Sequence, residues 1–403
     1  MRVAQFVSSL LAPLGGAEQY CLELSRWLRD QGHEVTLITG WISPDVSAQL
    51  EAEGIGVRVV PSARPYPPDR KGSRPAAVLF HALDVLGTLR APRPVRRVLA
   101  EDWDLVHVHR VAGFGAALLR STAAPVVFTV HDYALVDTST TLLRRGAEAS
   151  RPPLVQRLRT LLVNRAIAST HLVYPSARLR QKHERWGLRP RAHTTVLPHG
   201  WRLGADAIGA PAGPRDEAQQ PVVFLFLGKL IDTKGVDLLL DAWGDGIPGA
   251  ELWIAGSGPR EAAVDAAAAS GRVRKLGWLD APARRAALAS VSALVIPSIW
   301  PENFQLAAAE GVLAGLPILS TTVAAPPVVE PDVSGILVTP DAVAIRAGMV
   351  RLLDPALRSR LAAGARERAR DLDFDVHGER VLAIYAEAGA DAAGVAARAG
   401  QLA

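Results

Sequence analysis

Short apolar runs alternate with longer amphipathic segments along most of the 403-residue chain. The apolar runs have the length of buried strands, whereas segments such as 17–31 and 154–168 repeat their apolar positions with a helical period. Parallel strands need crossover connections, so the alternation predicts parallel sheets covered by helices. In the first half of the chain the predicted strands are residues 3–7, 34–39, 56–60, 105–109, 126–130 and 172–174.

The pattern stops at Asp206–Gln220 and then begins again. This segment is rich in small residues, proline and charge and has neither period, which predicts a linker. Two halves built alike indicate an α/β protein of two Rossmann-like domains whose parallel sheets face each other across a cleft. The predicted parts are a domain at 1–205, a linker at 206–220, a domain at 221–374, a helix at 375–388 that crosses back to the first domain, and a frayed tail at 389–403.

Composition agrees with a globular protein, since 49% of the residues are hydrophobic and 21% are charged. The single cysteine, Cys21, cannot form an intramolecular disulfide, which favours a reducing compartment and a cytoplasmic location. The N-terminal stretch has a basic start and small residues like a signal peptide, but polar residues interrupt it, so we expect no export signal. Every apolar run is broken before the ~18 residues that a membrane span needs.

Charge is divided unevenly between the halves. Residues 1–205 carry 27 basic and 16 acidic side chains, whereas 206–403 carry 18 and 24. A basic half is typical of proteins that meet nucleic acid, an anionic membrane or a phosphate-bearing substrate, although it also fits a solvated arginine-rich surface. Arginine supplies 40 of the 45 basic residues, so two of the five lysines in one short loop are less expected as a random surface feature.

Two common alternatives find little support. A dinucleotide-binding GxGxxG occurs at Gly244, Gly246 and Gly249, but it follows a predicted helix and precedes a strand, so it is a connector. Carboxylate pairs that could hold a metal lie in predicted caps or surface turns. His107 and His109 share one face of a strand without an obvious third ligand. The sequence therefore predicts no metal and no cofactor.

The loops that follow strands are the expected ligand sites, because ligands of such sheets lie beyond the carboxyl ends of the strands. The first carries Gly15 and Gly16 at the start of a helix, where a ligand can approach the backbone. The second carries Lys229 and Lys234 directly before a helix. Two ammonium groups beside a helix N-terminus suit a diphosphate without a metal, although a surface turn is the alternative.

A third loop begins at Pro301 and contains Glu302 and Glu310. If both glutamates lie on one helix, they are separated by about 80° around its axis and can line one pocket. A carboxylate at a helix start is also a common partner of the helix dipole. Glu310, however, lies between apolar stretches, where an unpaired charge is costly, and a vicinal diol would satisfy it.

These motifs together resemble those of glycosyltransferase family 4, whose members are retaining, nucleotide-sugar-dependent enzymes of GT-B fold. The resemblance covers nearly the whole chain, in the family's order. The matching positions are Gly15 to Glu18, His131 with Asp132, Pro175-Ser176 with Arg178, Lys234-Gly235, the Glu302 and Glu310 pair, and Gly315 with Pro317.

The resemblance implies a role for each matching residue. Lys229 and Lys234 would hold the donor diphosphate, Glu310 the ribose hydroxyls and Glu302 the transferred sugar. The backbone amides of Asn303, Phe304 and Gln305 would meet phosphate and sugar oxygens, Gly15 and Gly16 would close over the reaction centre, and His131 would lie beside the donor sugar. Glu302, His131 and Lys234 are the catalytic candidates.

Three positions depart from the family pattern. Lys229 stands where the family usually has arginine, so a point charge replaces a bidentate contact. Gln305 replaces a common glycine, and the segment 198–202 reads Pro-His-Gly-Trp-Arg where Pro-Asn-Gly-Val-Asp is typical. These departures bear on the choice of donor more than on the reaction.

The sequence thus favours transfer of a hexosyl unit from a UDP- or GDP-sugar to a glycan, lipid-linked or small-molecule acceptor that the sequence does not identify, without metal and without nucleic acid as a partner. A catalytically silent relative that binds nucleotide sugars or glycans is the alternative. Residues 151–165 form a basic amphipathic helix, which also fits peripheral contact with the anionic inner face of a membrane.

Overall fold

The computed structural model describes residues 1–12, 14–62, 64–68, 72–138, 140, 142–144, 147–148, 151–201 and 221–401. The chain forms two compact units. Unit 1 comprises Met1–Gly200 and Asp375–Ala403, and unit 2 comprises Trp201–Phe374. The predicted linker 206–220 lies outside the described residues.

Unit 1 alternates strands with helices. Its strands are β1 (Arg2–Phe6), β2 (Glu34–Thr39), β3 (Gly56–Val59), β4 (Leu105–Val108), β5 (Val126–Thr129), β6 (Leu143–Arg144), β7 (Ala147–Glu148), β8 (Thr170–Tyr174) and β9 (Thr194–Val196). Its helices are α1 (Gly16–Asp30), α2 (Pro44–Ala52), α3 (Arg74–Leu89), α4 (Arg93–Leu99), the 3₁₀ turn η1 (Ala116–Arg120), α5 (Leu154–Ala166) and α6 (Ala177–Arg185).

Seven of these strands form one parallel sheet in the order β3-β2-β1-β4-β5-β8-β9. The central strands β4 and β5 are buried along their whole length, which explains why they read as continuous apolar runs. The six strands predicted from the first half of the chain are all present, with ends that differ by one or two residues.

Unit 2 repeats the arrangement. Its strands are β10 (Val222–Leu227), β11 (Ala250–Ala255), β12 (Arg274–Gly277), β13 (Ala293–Ile296), β14 (Ile318–Thr321) and β15 (Gly335–Val338). Its helices are η2 (Asp232–Lys234), α7 (Val236–Trp243), α8 (Glu261–Ala269), α9 (Ala281–Ala289), α10 (Leu306–Leu313), α11 (Ala342–Arg351), α12 (Pro355–Ala369) and η3 (Arg370–Leu372).

The unit 2 sheet is parallel, in the order β12-β11-β10-β13-β14-β15, and both its faces are covered. Successive side chains of a strand point to opposite faces. Accordingly Phe224 and Phe226 of β10 pack in one apolar core, and Val223 and Leu225 pack in the other.

In each sheet the strand order changes direction at one place. The second strand of each unit lies on one side of the first, and a later strand lies on the other: β4 beside β1 in unit 1, and β13 beside β10 in unit 2. The loops that leave two such adjacent strands diverge, which leaves room for a ligand between them. The three loops singled out from the sequence leave β1 in unit 1, and β10 and β13 in unit 2; His131 and Asp132, matched through the family resemblance, follow β5.

The C-terminal helix α13 (Phe374–Gln401) packs on unit 1. The Trp27 indole N–H donates to Asp375 at 2.7 Å, and the Tyr20 hydroxyl lies 2.7 Å from Nε2 of His377. The helix is longer than the predicted 375–388 and takes in most of the segment 389–403, for which the sequence suggested a frayed tail. Alanine is the strongest helix former, so the alanine-rich segment continues the helix.

None of the described helices is both long and apolar enough to cross a membrane.

The contact between α13 and α1 gives a test of this packing. An alanine methyl at Gly378 would lie 2.4 Å from the Trp27 ring, whereas one at Gly389 meets nothing within 4 Å. Alanine in place of glycine normally stabilises a helix by about 1 kcal/mol. We expect Gly378→Ala instead to lower the free energy of unfolding by about 1–3 kcal/mol, because of overpacking.

Urea unfolding followed by circular dichroism measures the effect, with Gly389→Ala as the matched control in the same helix. We expect Gly389→Ala to be neutral or stabilising. Equal stabilisation by both substitutions would contradict the packing of α13 on Trp27.

Candidate functional site

The loop after β10 is held against the loop after β13. Residues Asp232–Lys234 form one 3₁₀ turn, and Gly235 follows with a left-handed φ of 71°. A side chain at Gly235 would place its Cβ 2.0 Å from the carbonyl oxygen of Pro297, so only glycine allows this approach. The Ile299 N–H also donates to the Thr233 carbonyl at 3.1 Å. The two loops therefore form one surface.

Lys234 and Glu302 meet on this surface. The Lys234 ammonium donates to Oε1 of Glu302 at 2.7 Å, and the Ser298 hydroxyl donates to the same oxygen at 2.9 Å. The Glu302 side chain is 7% exposed and the Lys234 side chain 24%. A carboxylate buried to this degree needs such partners, because desolvation of an unpaired charge is costly.

Gln305 completes the group. Its Nε2 lies 3.1 Å from the Ser298 hydroxyl and 3.3 Å from Oε1 of Glu302. Its Oε1 is buried and has no hydrogen-bond partner among the described residues. We refer to Lys234, Ser298, Glu302 and Gln305 as the unit 2 polar cluster. The cluster presents one ammonium group, one carboxylate and one buried amide acceptor.

The helix predicted to carry both glutamates begins later than the sequence suggested. It starts at Leu306 with Gln305 as its N-cap, so Glu302 lies in the loop and the expected 80° separation around one axis is wrong. Contacts from outside the helix hold this loop: Glu302 bonds to Lys234 and Ser298, and Thr321 donates to the Ser298 carbonyl at 2.5 Å. These tertiary contacts are not visible in the local sequence pattern.

Glu310 lies on α10 and is paired with a residue that the sequence did not single out. Its Oε1 lies 2.9 Å from Nε of Arg284 on α9, and its side chain is 8% exposed. Burial raises the pKa of the Glu310 carboxyl, and the Arg284 guanidinium opposes that rise. Glu310 is thus a buried carboxylate with a cation beside it.

The remaining unit 2 candidates are placed as follows. Lys229 is exposed two residues after β10; its carbonyl accepts from the Ile231 N–H, and its ammonium group has no hydrogen bond or ion pair among the described residues. Asn303 and Phe304 are partly buried in the segment between Glu302 and the start of α10. All seven unit 2 candidates therefore lie on the exit loops of β10 and β13 or on α10.

In unit 1, Gly15 is the N-cap of α1 and has an ordinary φ of −82°. Its lack of a side chain matters for packing instead, because a Cβ there would lie 2.5 Å from Oε2 of Glu18. Glu18 folds back over the glycine and is 5% exposed. Gly16 is the first residue of the helix.

Glu18 forms an ion pair with Arg110, which follows β4. The Arg110 Nη1 lies 2.8 Å from Oε1 of Glu18, and its Nε lies 3.5 Å from Oδ2 of Asp132, which follows β5. The Arg110 guanidinium, which follows β4, thus connects the segments that follow β1 and β5. Arg110 carried no motif in the sequence, and its only signal was its place directly after a buried strand.

His131 lies next to Asp132 within a cluster of rings. Its Nε2 lies 3.2 Å from Nδ1 of His109, and its ring centre is 5.3 Å from that of Tyr20 and 4.8 Å from that of His199. Burial, with Arg110 nearby, lowers the pKa of His131 to about 3. At neutral pH the ring is therefore uncharged.

The other histidines of this cluster are enclosed as well. His107 bonds through Nδ1 to the Tyr385 hydroxyl at 2.7 Å and through Nε2 to Thr129 at 2.8 Å. Nε2 of His109 lies 2.5 Å from the side-chain oxygen of Gln5. Burial lowers the pKa of both histidines. Among the described residues, neither this cluster nor the unit 2 polar cluster contains three side chains placed to share a metal ion.

Each unit thus gathers its own candidates. Unit 2 brings Lys234, Glu302 and Gln305 into direct contact and holds Glu310 separately with Arg284. Unit 1 joins the loop of Gly15 and Gly16 to His131 through Glu18, Arg110 and Asp132.

Comparison with known proteins agrees with this arrangement. Residues 15–200 match the family model described as a glycosyl transferase 4-like domain, and residues 221–355 match glycosyl transferases group 1. A D-inositol 3-phosphate glycosyltransferase of Frankia alni is 30% identical over 93% of this chain and 95% of its own. A phosphatidyl-myo-inositol mannosyltransferase of Mycobacterium leprae is 26% identical over 92% of each chain.

The solved structure of HepE from Anabaena, in complex with UDP and glucose, aligns with a TM-score of 0.66 at 18% identity, over 95% of this chain and 99% of that one. The likeness to HepE shows the fold, and the similarity to the Frankia alni relative shows the family. Two parallel Rossmann-like sheets, the matched models over both units and full-length relatives together show that this chain belongs to the GT4-type glycosyltransferases of GT-B fold.

Proposed function

We propose that this glycosyltransferase moves a hexosyl unit from a UDP- or GDP-sugar to a hydroxyl group of its acceptor, with retention of configuration and without a metal ion. The unit 2 polar cluster is the observation that carries the proposal. It places an ammonium group and a carboxylate side by side on the exit loops of two adjacent strands, where ligands of such sheets bind.

The diphosphate of the donor would be held by Lys229 and Lys234. Negative charge develops on the departing phosphate during transfer, and cations already in place stabilise that charge without a metal. Lys229 is exposed, and Lys234 retains partial exposure beside Glu302. The cation in the cluster is thus fixed by its ion pair before the donor arrives.

The transferred sugar would be held by Glu302 and Gln305. The three contacts that Glu302 receives from within the cluster all go to Oε1, which leaves Oε2 to accept from a sugar hydroxyl. The buried Oε1 of Gln305 is a second acceptor on the same surface. In this arrangement Gln305, which replaces a common glycine of the family, contributes to donor choice.

Glu310 would accept from the vicinal hydroxyls of the ribose. The Arg284 guanidinium offsets the cost of burying the Glu310 carboxylate when no donor is bound.

The acceptor is inferred from the relatives. Relatives named for inositol 3-phosphate and phosphatidyl-myo-inositol support an inositol-bearing acceptor for this chain. The exit loops of unit 1, with Arg110 between Glu18 and Asp132, would provide the polar surface that binds it.

Unit 1 also presents a surface suited to an anionic membrane. On α5, Leu154, Leu158 and Leu161 are 69%, 56% and 62% exposed. These leucines and Arg165 fall within an arc of about 60° around the helix, at 100° per residue. Exposed aliphatic and basic side chains on one helix face are typical of helices that lie in a membrane interface.

The neighbouring helix α3 extends this surface. Val78, Leu79 and Leu86 are 71%, 51% and 58% exposed. On the opposite side of the two helices a buried ion pair joins them, with Nη2 of Arg159 at 3.2 Å from Oδ2 of Asp84. The inner faces of α3 and α5 are therefore fixed to each other while their outer faces carry uncovered apolar groups. We propose that this α3–α5 surface binds membranes that contain the lipid acceptor.

The donor proposal is tested by lysine substitution. We expect Lys229→Ala and Lys234→Ala each to lower kcat/KM by about 10- to 1000-fold, the range for loss of one charge-stabilising group. Lys275→Ala is the matched control, since this lysine is paired with Glu261 and Asp265 and lies on β12 rather than on either exit loop. Release of nucleoside diphosphate is measured against a panel of UDP- and GDP-sugars, with and without EDTA.

Nuclear magnetic resonance of the product decides between retention and inversion. Activity that survives both lysine substitutions, or that disappears with EDTA, would contradict the donor proposal. A chain that is stabilised by nucleotide sugars but releases no nucleoside diphosphate with any inositol-bearing acceptor would instead be a catalytically silent relative.

The membrane proposal is tested by liposome sedimentation. We expect the protein to sediment with phosphatidylglycerol vesicles and less with neutral ones, and the double variant Leu158→Asp, Leu161→Asp to lose at least ~10-fold in partitioning, because charged groups disfavour insertion. Arg157→Glu with Arg165→Glu should abolish the preference for anionic vesicles, which salt should also weaken.

Val343→Asp is the control, because Val343 is 80% exposed in unit 2 and outside the α3–α5 surface. Equal sedimentation of the wild type and the double leucine variant would rule this surface out.

A further inference from the structure

A group of three metal-ligand side chains lies in unit 1, away from the exit loops. One nitrogen of His171, one nitrogen of His193 and one carboxylate oxygen of Glu387 lie within 4.8 Å of one another. The sequence predicts no metal site, and these three residues are far apart along the chain. From this geometry we infer that His171, His193 and Glu387 bind a Zn²⁺ ion that links the C-terminal helix to the edge of the unit 1 sheet.

His171 is the rigid member of the group. It is the second residue of β8 and is 1% exposed. Its Nε2 lies 2.8 Å from the Thr195 hydroxyl on the neighbouring strand β9. A second polar contact of this kind orients the ring of a metal-binding histidine and sets which nitrogen faces the metal.

His193 is positioned by the same strand pair. It directly precedes β9, and its carbonyl accepts from the N–H of Leu172 at 3.2 Å. The two imidazole ring centres are 6.0 Å apart, with the ring planes at 76°. The backbone ladder therefore fixes the spacing of the two histidine backbones, and the His193 side chain is exposed.

Glu387 comes from α13. It is exposed, but its helix is fixed close by, since Tyr385 is buried and its hydroxyl lies 2.7 Å from Nδ1 of His107. The helix therefore presents the carboxylate at a defined place beside the sheet edge, with a side chain long enough to move toward the histidines.

The ligand types suit Zn²⁺. Two imidazoles and one carboxylate, with water in the fourth position, form a common tetrahedral zinc set with bonds of about 2.0–2.2 Å. Such bonds place ligand atoms about 3.4 Å apart, so ligand atoms now up to 4.8 Å apart must approach by as much as about 1.4 Å, through movement of the two exposed side chains. Nitrogen ligands disfavour Mg²⁺, which prefers oxygen.

Zinc here would be structural. His171 and His193 stand at the beginnings of β8 and β9, the edge of the sheet opposite the loops that carry Arg110 and His131. The inference does not depend on the proposed glycosyl transfer, and the metal-independent reaction does not exclude it. Because the ion would join residues from three elements of the folded chain, it would stabilise the folded state by mass action.

The test uses the full-length, untagged protein, first treated with a chelator and then dialysed against ZnCl₂ or MgCl₂. Bound metal is measured by atomic absorption, and the unfolding midpoint by differential scanning fluorimetry. We expect one zinc ion per chain, no bound magnesium, and a midpoint that rises by a few degrees with zinc.

His193→Ala and Glu387→Gln change exposed side chains, so they should leave the fold intact, which circular dichroism checks. We expect each to weaken zinc binding by at least 10-fold and to remove the rise in the midpoint. Two control variants should behave as the wild type. His33→Ala changes a histidine at another place in unit 1, and Glu379→Gln changes an exposed glutamate of α13.

X-ray absorption of the zinc-loaded protein should show two imidazole ligands. Failure of the wild type to bind zinc, or equal binding by His193→Ala and Glu387→Gln, would overturn the inference. Either result would leave the donor-site proposal unaffected, because that proposal rests on unit 2.

Discussion

Each unit of this protein depends on the point where the order of its parallel strands changes direction. At that point the exit loops of two hydrogen-bonded neighbours diverge and leave polar backbone and side chains uncovered beside a buried sheet. In unit 2 the neighbours are β10 and β13, and the Lys234–Glu302 ion pair joins their loops at 2.7 Å. In unit 1 the neighbours are β1 and β4, and the Glu18–Arg110 pair joins theirs at 2.8 Å. The same topology thus yields a paired charge in both halves.

The two pairs have different consequences. In unit 2 the cation remains partly accessible and a carboxylate oxygen is left over, which suits binding of a phosphate and a sugar together. In unit 1 the guanidinium is shared between two carboxylates, so this group of side chains formally carries one more negative than positive charge, and the nearby Tyr20 ring is buried.

The C-terminal helix shows how one element serves several purposes. It packs its glycine on Trp27, bonds through Tyr385 to the histidine cluster, and carries Glu387 to the far edge of the sheet. Loss of its docking would therefore disturb the core beneath the unit 1 site as well as the inferred zinc site.

The sequence by itself determined the class of fold, the strands, the exit loops and the family, because buried parallel strands, glycine turns and the glutamate pair leave local patterns. It also singled out Lys234 and Glu302, which the structure brings into direct contact. Only the tertiary structure decided that Glu302 lies before α10, that Glu310 pairs with Arg284, that Arg110 joins three loops and that His171 meets His193 and Glu387. These contacts join residues far apart along the chain, and no local period or spacing encodes such pairs.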